Sequence, residues 1–203
     1  GGRVTLVGHS MGGNVALLYA GTEPARVAGL AVIEGTGPPG ATPEVAPERF
    51  AGWIEDLDRA ATAERRPLSL EDAAARLRRF FPLPDDVAHH LALHGTRPAA
   101  NGLRSWKLDP LHKTRSPQPF YEAQARAFWA RIACPVLYVE GARGMLSAAA
   151  SDVEERLRVM RAARATIPDA AHHPHLERPE ATARVLLDFL ARLPGEPSAA
   201  RDR

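Results

Sequence analysis

Ser10 carries the strongest chemical signature in the chain. It sits in Val4-Thr5-Leu6-Val7-Gly8-His9-Ser10-Met11-Gly12-Gly13-Asn14, where strand-forming residues run into Gly-x-Ser-x-Gly and an apolar-periodic segment (Val15, Leu18, Tyr19) follows. A strand that turns abruptly into a helix holds its serine strained and exposed, a nucleophile elbow. Gly8 and Gly12 are expected there because a Cβ at either would clash in so tight a turn. The first amides of the following helix would stabilise negative charge developing at Ser10. A serine hydroxyl is a weak nucleophile without a base, so a histidine is required elsewhere. The chain offers His9, His89, His90, His94, His112, His172, His173 and His175. The competing readings are a glycine-rich turn with an incidental serine, and a phosphate-binding turn. The second is disfavoured because Ser10 takes the place of the middle glycine in G-x-G-x-x-G.

The elements that must position these groups follow from the hydrophobic pattern. Residues 3–7 read as a central parallel strand and 12–20 as a helix stopped by Gly21, with a second strand over 27–33 ending at Glu34. Strand, helix and strand in so short a span is a βαβ unit, which predicts a parallel sheet with a right-handed crossover. The run Gly35-Thr36-Gly37-Pro38-Pro39-Gly40 then opens a different region. From 41 to 131 the pattern is helical, with candidates at 47–61, 70–80, 85–94 and 119–132, and 105–110 as a short extended piece or turn. Ser69 is the expected N-cap of the second. Ninety residues is too long for a loop in a compact domain, so an inserted helical unit or helical decoration of a sheet face is expected. Sheet pattern resumes at 135–139, followed by a helix over 149–163, a short strand over 164–168, and a closing helix over 181–193. Residues 195–203 read as a polar, frayed tail.

Composition narrows the classes. The chain has 203 residues, 45% hydrophobic and 25% charged, with a net charge of +2. Lys107 and Lys113 are the only lysines among 26 basic residues, and the arginines are scattered among acids in helical segments. With no basic stripe bearing interleaved aromatics, nucleic-acid binding is not expected. Cys134 is alone, which rules out an internal disulfide. No apolar run approaches the length of a membrane span, and a cytoplasmic protein is expected.

Gly8-His9-Ser10-Met11-Gly12-Gly13 resembles the elbow of the α/β-hydrolase superfamily, in its capped, esterase-like branch. The resemblance implies an α/β fold with a mostly parallel sheet. It also implies a hydrolase core at 1–40 and 132–194, with a helical cap at 41–131 inserted between them and covering the serine. About four strands precede the elbow strand in that fold and only three residues do here. A chain truncated at its N-terminus is therefore expected, with the second oxyanion-hole donor upstream. The first donor implied is the backbone amide of Met11.

Ala170-Ala171-His172-His173-Pro174-His175-Leu176-Glu177-Arg178-Pro179-Glu180 resembles the family's A-G-H-x-x-H-L-E-R-P-E, with Ala171 in place of a glycine. The implied base is His172. A metal reading of His172, His173 and His175 would need further ligands the sequence does not offer, so neither metal nor cofactor is expected. His9 belongs to the elbow and is read as part of the substrate pocket.

The acid is open. The family order is Ser, acid, His, usually with an aspartate in a G-x-x-D turn after the strand that here ends at Val139. This chain reads Gly141-Ala142-Arg143-Gly144, with no carboxylate. Some dehalogenase branches take a glutamate from the end of the preceding strand, and Glu34 matches that position. Glu140 and Asp152 are the alternatives, as is a site with no working acid.

The resemblance thus implies a serine hydrolase that forms an acyl-enzyme: Ser10 attacks, His172 moves the proton and Glu34 orients His172. Trp53, Trp106 and Trp129 suggest an apolar pocket and a small ester-like substrate. An amide, thioester or C–C bond is the alternative chemistry, and a non-catalytic relative or inactive fragment the alternative class. A homodimer is compatible with the sequence.

Overall fold

A computed structural model describes residues 2–63, 66–144 and 150–194. The tail expected at 195–203 lies outside them. The chain divides into two compact units, Gly1–Pro39 with Glu122–Arg203, and Gly40–Tyr121.

The first unit is built on a parallel four-stranded sheet. Its strands are β1 (Val4–His9), β2 (Val27–Ile33), β5 (Val136–Gly141) and β6 (Ala163–Ile167), in the spatial order β1-β2-β5-β6. β2 and β5 are rich in Val, Leu and Ile and almost wholly buried, as inner strands covered on both faces must be. β1, expected to be central, instead forms one edge among the described residues, where Val4 and Val7 are 45% and 52% exposed. The side chains of β2 alternate between two layers. Ala31 and Ile33 join Leu137, Val139 and Ile167 beneath Val185, Leu186 and Phe189 of α8 (Pro179–Ala191), while Val32 faces Gly13 of α1 (Met11–Thr22). Three layers, helix on sheet on helix, result.

Gly21 does not stop α1, which runs on to Thr22. It serves packing instead. A Cβ there would stand 2.7 Å from the carbonyl carbon of Phe128, so the glycine lets α1 approach the backbone of α5 (Glu122–Trp129). α6 (Ala150–Met160) precedes β6, and the single turn α7 (Pro174–Glu177) precedes α8.

The second unit contains α2 (Ala46–Thr62), α3 (Leu70–Phe80) and α4 (Asp85–Gly95). Ser69 caps α3 by accepting from the amide of Asp72. Beyond the helical pattern there is a short antiparallel pair, β3 (Thr96–Pro98) and β4 (Arg104–Trp106). Its residues are too few to leave a periodic trace. The ends of the unit are joined where the amide of Ala41 donates to the carbonyl of Phe120 at 2.9 Å. The unit ends at Tyr121, whereas the helical region read from the sequence extends to 131; α5 belongs to the first unit.

Register brings the candidate chemistry to one edge. His9 is level with Ile33, and Ile33 with Val139. Ser10, Glu34 and Gly141 therefore all lie at the carboxyl end of the sheet, where open α/β sheets place their ligands.

Candidate active site

Ser10 leaves β1 with φ 51° and ψ −120°, left-handed backbone that a residue with a Cβ adopts at a cost of about 1–3 kcal/mol. The turn is held by its neighbours. The Ser10 amide donates to the carbonyl of Ile33 at 2.8 Å, and the Ser10 carbonyl accepts from Gly13 at 3.0 Å. Gly8 is required, since a Cβ there would stand 2.5 Å from the Gly12 carbonyl oxygen. Gly12 is not, because a Cβ at that position meets nothing within 4 Å. The second crowded glycine is Gly13, whose Cβ would stand 2.8 Å from Val32 Cγ1.

Three side chains converge. Ser10 Oγ is 2.9 Å from Nε2 of His172, and His172 Nδ1 is 3.3 Å from Oε2 of Glu34. A carboxylate only accepts, so Nδ1 carries the proton and Nε2 presents its lone pair to the serine hydroxyl. The Glu34 side chain is 1% exposed, and its Oε1 accepts from the Gly141 amide at 2.8 Å. Glu34 itself has φ 50°, so two residues at the same sheet edge hold left-handed backbone.

The loop carrying His172 is fixed by a buried glutamate. Glu177 accepts from the amide of Ala171 at 2.9 Å and from that of His173 at 3.0 Å, bracketing His172 on both sides. His9 adds a third restraint. Its Nε2 is 2.7 Å from the carbonyl of His172, which can only accept, so His9 donates from Nε2. His9 thus holds the backbone of the His172 loop. Burial lowers the pKa of His9. Burial, and then the neighbouring imidazoles of His9 and His172, press His173 and His175 down to about 4.

The other sequence candidates are placed elsewhere. Glu140 is buried on β5, with its carboxylate taken by Nε and Nη2 of Arg164 (2.8 and 2.9 Å) and by Thr166. Asp152 lies in the first turn of α6. Trp129 is 2% exposed at the end of α5, a core residue of the first unit with no open face for a substrate. Trp53 lies on α2, edge-on to Phe50, and Trp106 on β4, both in the second unit. The Met11 amide opens α1 and has no intrahelical acceptor. Nitrogen atoms of His9, His172 and His173 lie within 4.8 Å of one another, but both ring nitrogens of His172 are taken by Ser10 and Glu34.

Two contacts carried no sequence signal. Gly144 lies against the Glu34 carboxylate, and a Cβ there would stand 2.6 Å from its carboxyl carbon. Arg156, 2% exposed, donates to the carbonyls of Thr36, Gly37 and Pro38 at 2.9–3.0 Å and so holds the segment that follows Glu34. Such long-range bonds leave no local spacing to read.

A sequence model of the α/β hydrolase family matches residues 1–185. The chain belongs to the α/β hydrolase family. Among solved structures, the hypothetical protein PA1622 from Pseudomonas aeruginosa PAO1 is 31% identical with a TM-score of 0.83, over 94% of this chain and 68% of that one. The thioesterase domain from the curacin biosynthetic pathway is 26% identical with a TM-score of 0.76, over 91% and 66%. The esterase Rv0045c from Mycobacterium tuberculosis, 19% identical with a TM-score of 0.63 over 92% and 60%, shares the fold. This member of the hydrolase family thus spans about two thirds of the length of such structures. No curated protein sequence matches it. Among the described residues no helix is long and apolar enough to cross a membrane.

Proposed function

We propose that the protein is a serine hydrolase that cleaves a small ester-like substrate through an acyl-enzyme. The observation that carries this reading is the unbroken relay from Ser10 through His172 to Glu34, at 2.9 and 3.3 Å. Ser10 Oγ attacks the substrate carbonyl carbon while His172 Nε2 takes the hydroxyl proton. The imidazolium formed is stabilised by the Glu34 carboxylate, which also fixes the reactive tautomer. The Met11 amide, at the positive end of α1, donates to the oxyanion of the tetrahedral intermediate. Collapse expels the alcohol, which receives the proton from His172, and water then repeats the sequence to release the acid. The 3.3 Å separation is long for a charged pair, and formation of the imidazolium draws the two groups together.

The buried, doubly bonded carboxylate of Glu34 supports it as the acid over Glu140, whose oxygens are committed to Arg164 and Thr166. The inserted unit Gly40–Tyr121 is read as the cap.

Thioester cleavage is the second reading, favoured by the likeness to a thioesterase domain at 26% identity. Turnover of matched butyryl ester and butyryl thioester substrates separates the two. Activity on either that persists in Ser10→Ala contradicts the serine mechanism.

A further inference from the structure

The unit Gly40–Tyr121 contains a cavity of its own, about 750 Å³, within the range of small-molecule sites. Its walls come from α2, α3, β4 and the turn Pro110–Lys113. Ala60, Leu77, Phe80, Trp106 and Leu108 make an apolar surface, and Phe80 and Leu108 are 68% and 49% exposed. Large apolar side chains left open in a concave site mark a place where a ligand body rests.

The charges in the same cavity are unbalanced. Arg59, Arg66, Arg76 and Lys113 line it, against Asp56 and Asp109. Both carboxylates are already engaged. Asp56 accepts from Arg115 and Arg59, and those bonds, chiefly the one from Arg115, hold its carboxyl down to about 2. Asp109 caps the turn at the amide of Leu111, at 2.8 Å. Among the described residues, the side chains of Arg66, Arg76 and Lys113 make no hydrogen bond or ion pair. Among the described residues, four cations against two carboxylates leave this lining net positive beside an aromatic and aliphatic wall, which suits an anion with an apolar body.

We propose that this cavity binds an amphipathic organic anion, with its apolar body on Trp106, Phe80 and Leu77 and a single carboxylate or phosphate held by Arg66, Arg76 and Lys113. The site lies in one unit and needs no chemistry at Ser10, so it stands apart from the hydrolase reading.

The test titrates the full chain with decanoate, decyl phosphate and decanol, by calorimetry and by tryptophan fluorescence. Each anion should bind about tenfold or more tightly than decanol, as expected for one charge-assisted contact set. That preference should shrink as sodium chloride is raised. It should shrink several-fold in the double variant Arg76→Gln, Lys113→Gln, which leaves Arg66 in place, and Trp106→Phe should remove the fluorescence response. The carboxylate and phosphate arms show which head group the cations favour. Equal binding of decanol, no binding of any of the three, or a preference that is undiminished in a folded double variant overturns the proposal. Should the double variant fail to fold, the native chain decides, because a salt-insensitive preference overturns it as well.

Discussion

Gly144 leaves the space that the carboxylate of Glu34 fills. A Cβ on Gly144 would stand 2.6 Å from the Glu34 carboxyl carbon and 2.8 Å from Oε2, the oxygen that faces His172. Gly144 is also the fourth residue of Gly141-Ala142-Arg143-Gly144, the place where a G-x-x-D turn would carry its aspartate. The two positions compete for one volume, so a carboxylate at 34 goes with a glycine at 144.

That relationship predicts a rescue. Under the proposed mechanism Glu34→Ala lowers kcat by about 10³–10⁴, the scale seen when a histidine loses the group that sets its tautomer. Gly144→Asp alone also lowers kcat, because the two side chains collide. Combining Glu34→Ala with Gly144→Asp should restore at least about tenfold of the loss by returning a hydrogen-bond acceptor to Nδ1. Steady-state kinetics of the three variants on one ester checks this. A double variant no better than Glu34→Ala means that Glu34 does not act through its carboxylate.

His9 is expected to act as a positioning residue through its bond to the carbonyl of His172. His9→Ala should lower kcat by about five- to tenfold with KM little changed, the scale of one lost hydrogen bond. His9→Gln keeps a donor and should recover much of that loss. A change in KM alone would instead place His9 against the substrate.

The acid side of the stability profile should carry the signature of His173 and His175. Both are lowered from 6.5 to about 4, so between those values the unfolded chain binds more protons than the folded one. Their contribution is fully present above pH 6.5 and is lost as pH falls toward 4. The melting temperature should drop through this window, with uptake of about two protons at most on unfolding. Replacing both by Gln should flatten the profile there. A slope unchanged in that variant assigns the effect to other groups.

The sequence was most informative where the signal is local. Strand and helix periodicity around Ser10 marks the elbow because both elements are amphipathic or wholly apolar over a few residues. The loop at His172 stands out because a short motif carries its own glutamate, Glu177, four residues past His173. The glycines were less legible, since whether Gly12 or Gly13 is crowded depends on Val32, a residue of the next strand. Gly21 reads as a helix stop and instead admits the backbone of Phe128, 107 residues on. Trp129 reads as a pocket wall from its type, yet its burial depends on where α5 docks. Arg156 gave no sign at all, and Gly144 only that its turn lacks an aspartate, because their partners Thr36–Pro38 and Glu34 lie more than a hundred residues away.

The proposed mechanism makes Ser10 a nucleophile activated by His172. Intact-mass analysis after exposure to a fluorophosphonate tests it most directly, because the reagent needs an activated hydroxyl and no knowledge of the natural substrate. One covalent adduct is expected on the native chain, mapped to Ser10, absent from Ser10→Ala and strongly slowed in His172→Ala. A folded chain that takes no adduct, or one whose adduct forms at the same rate in His172→Ala, would contradict it.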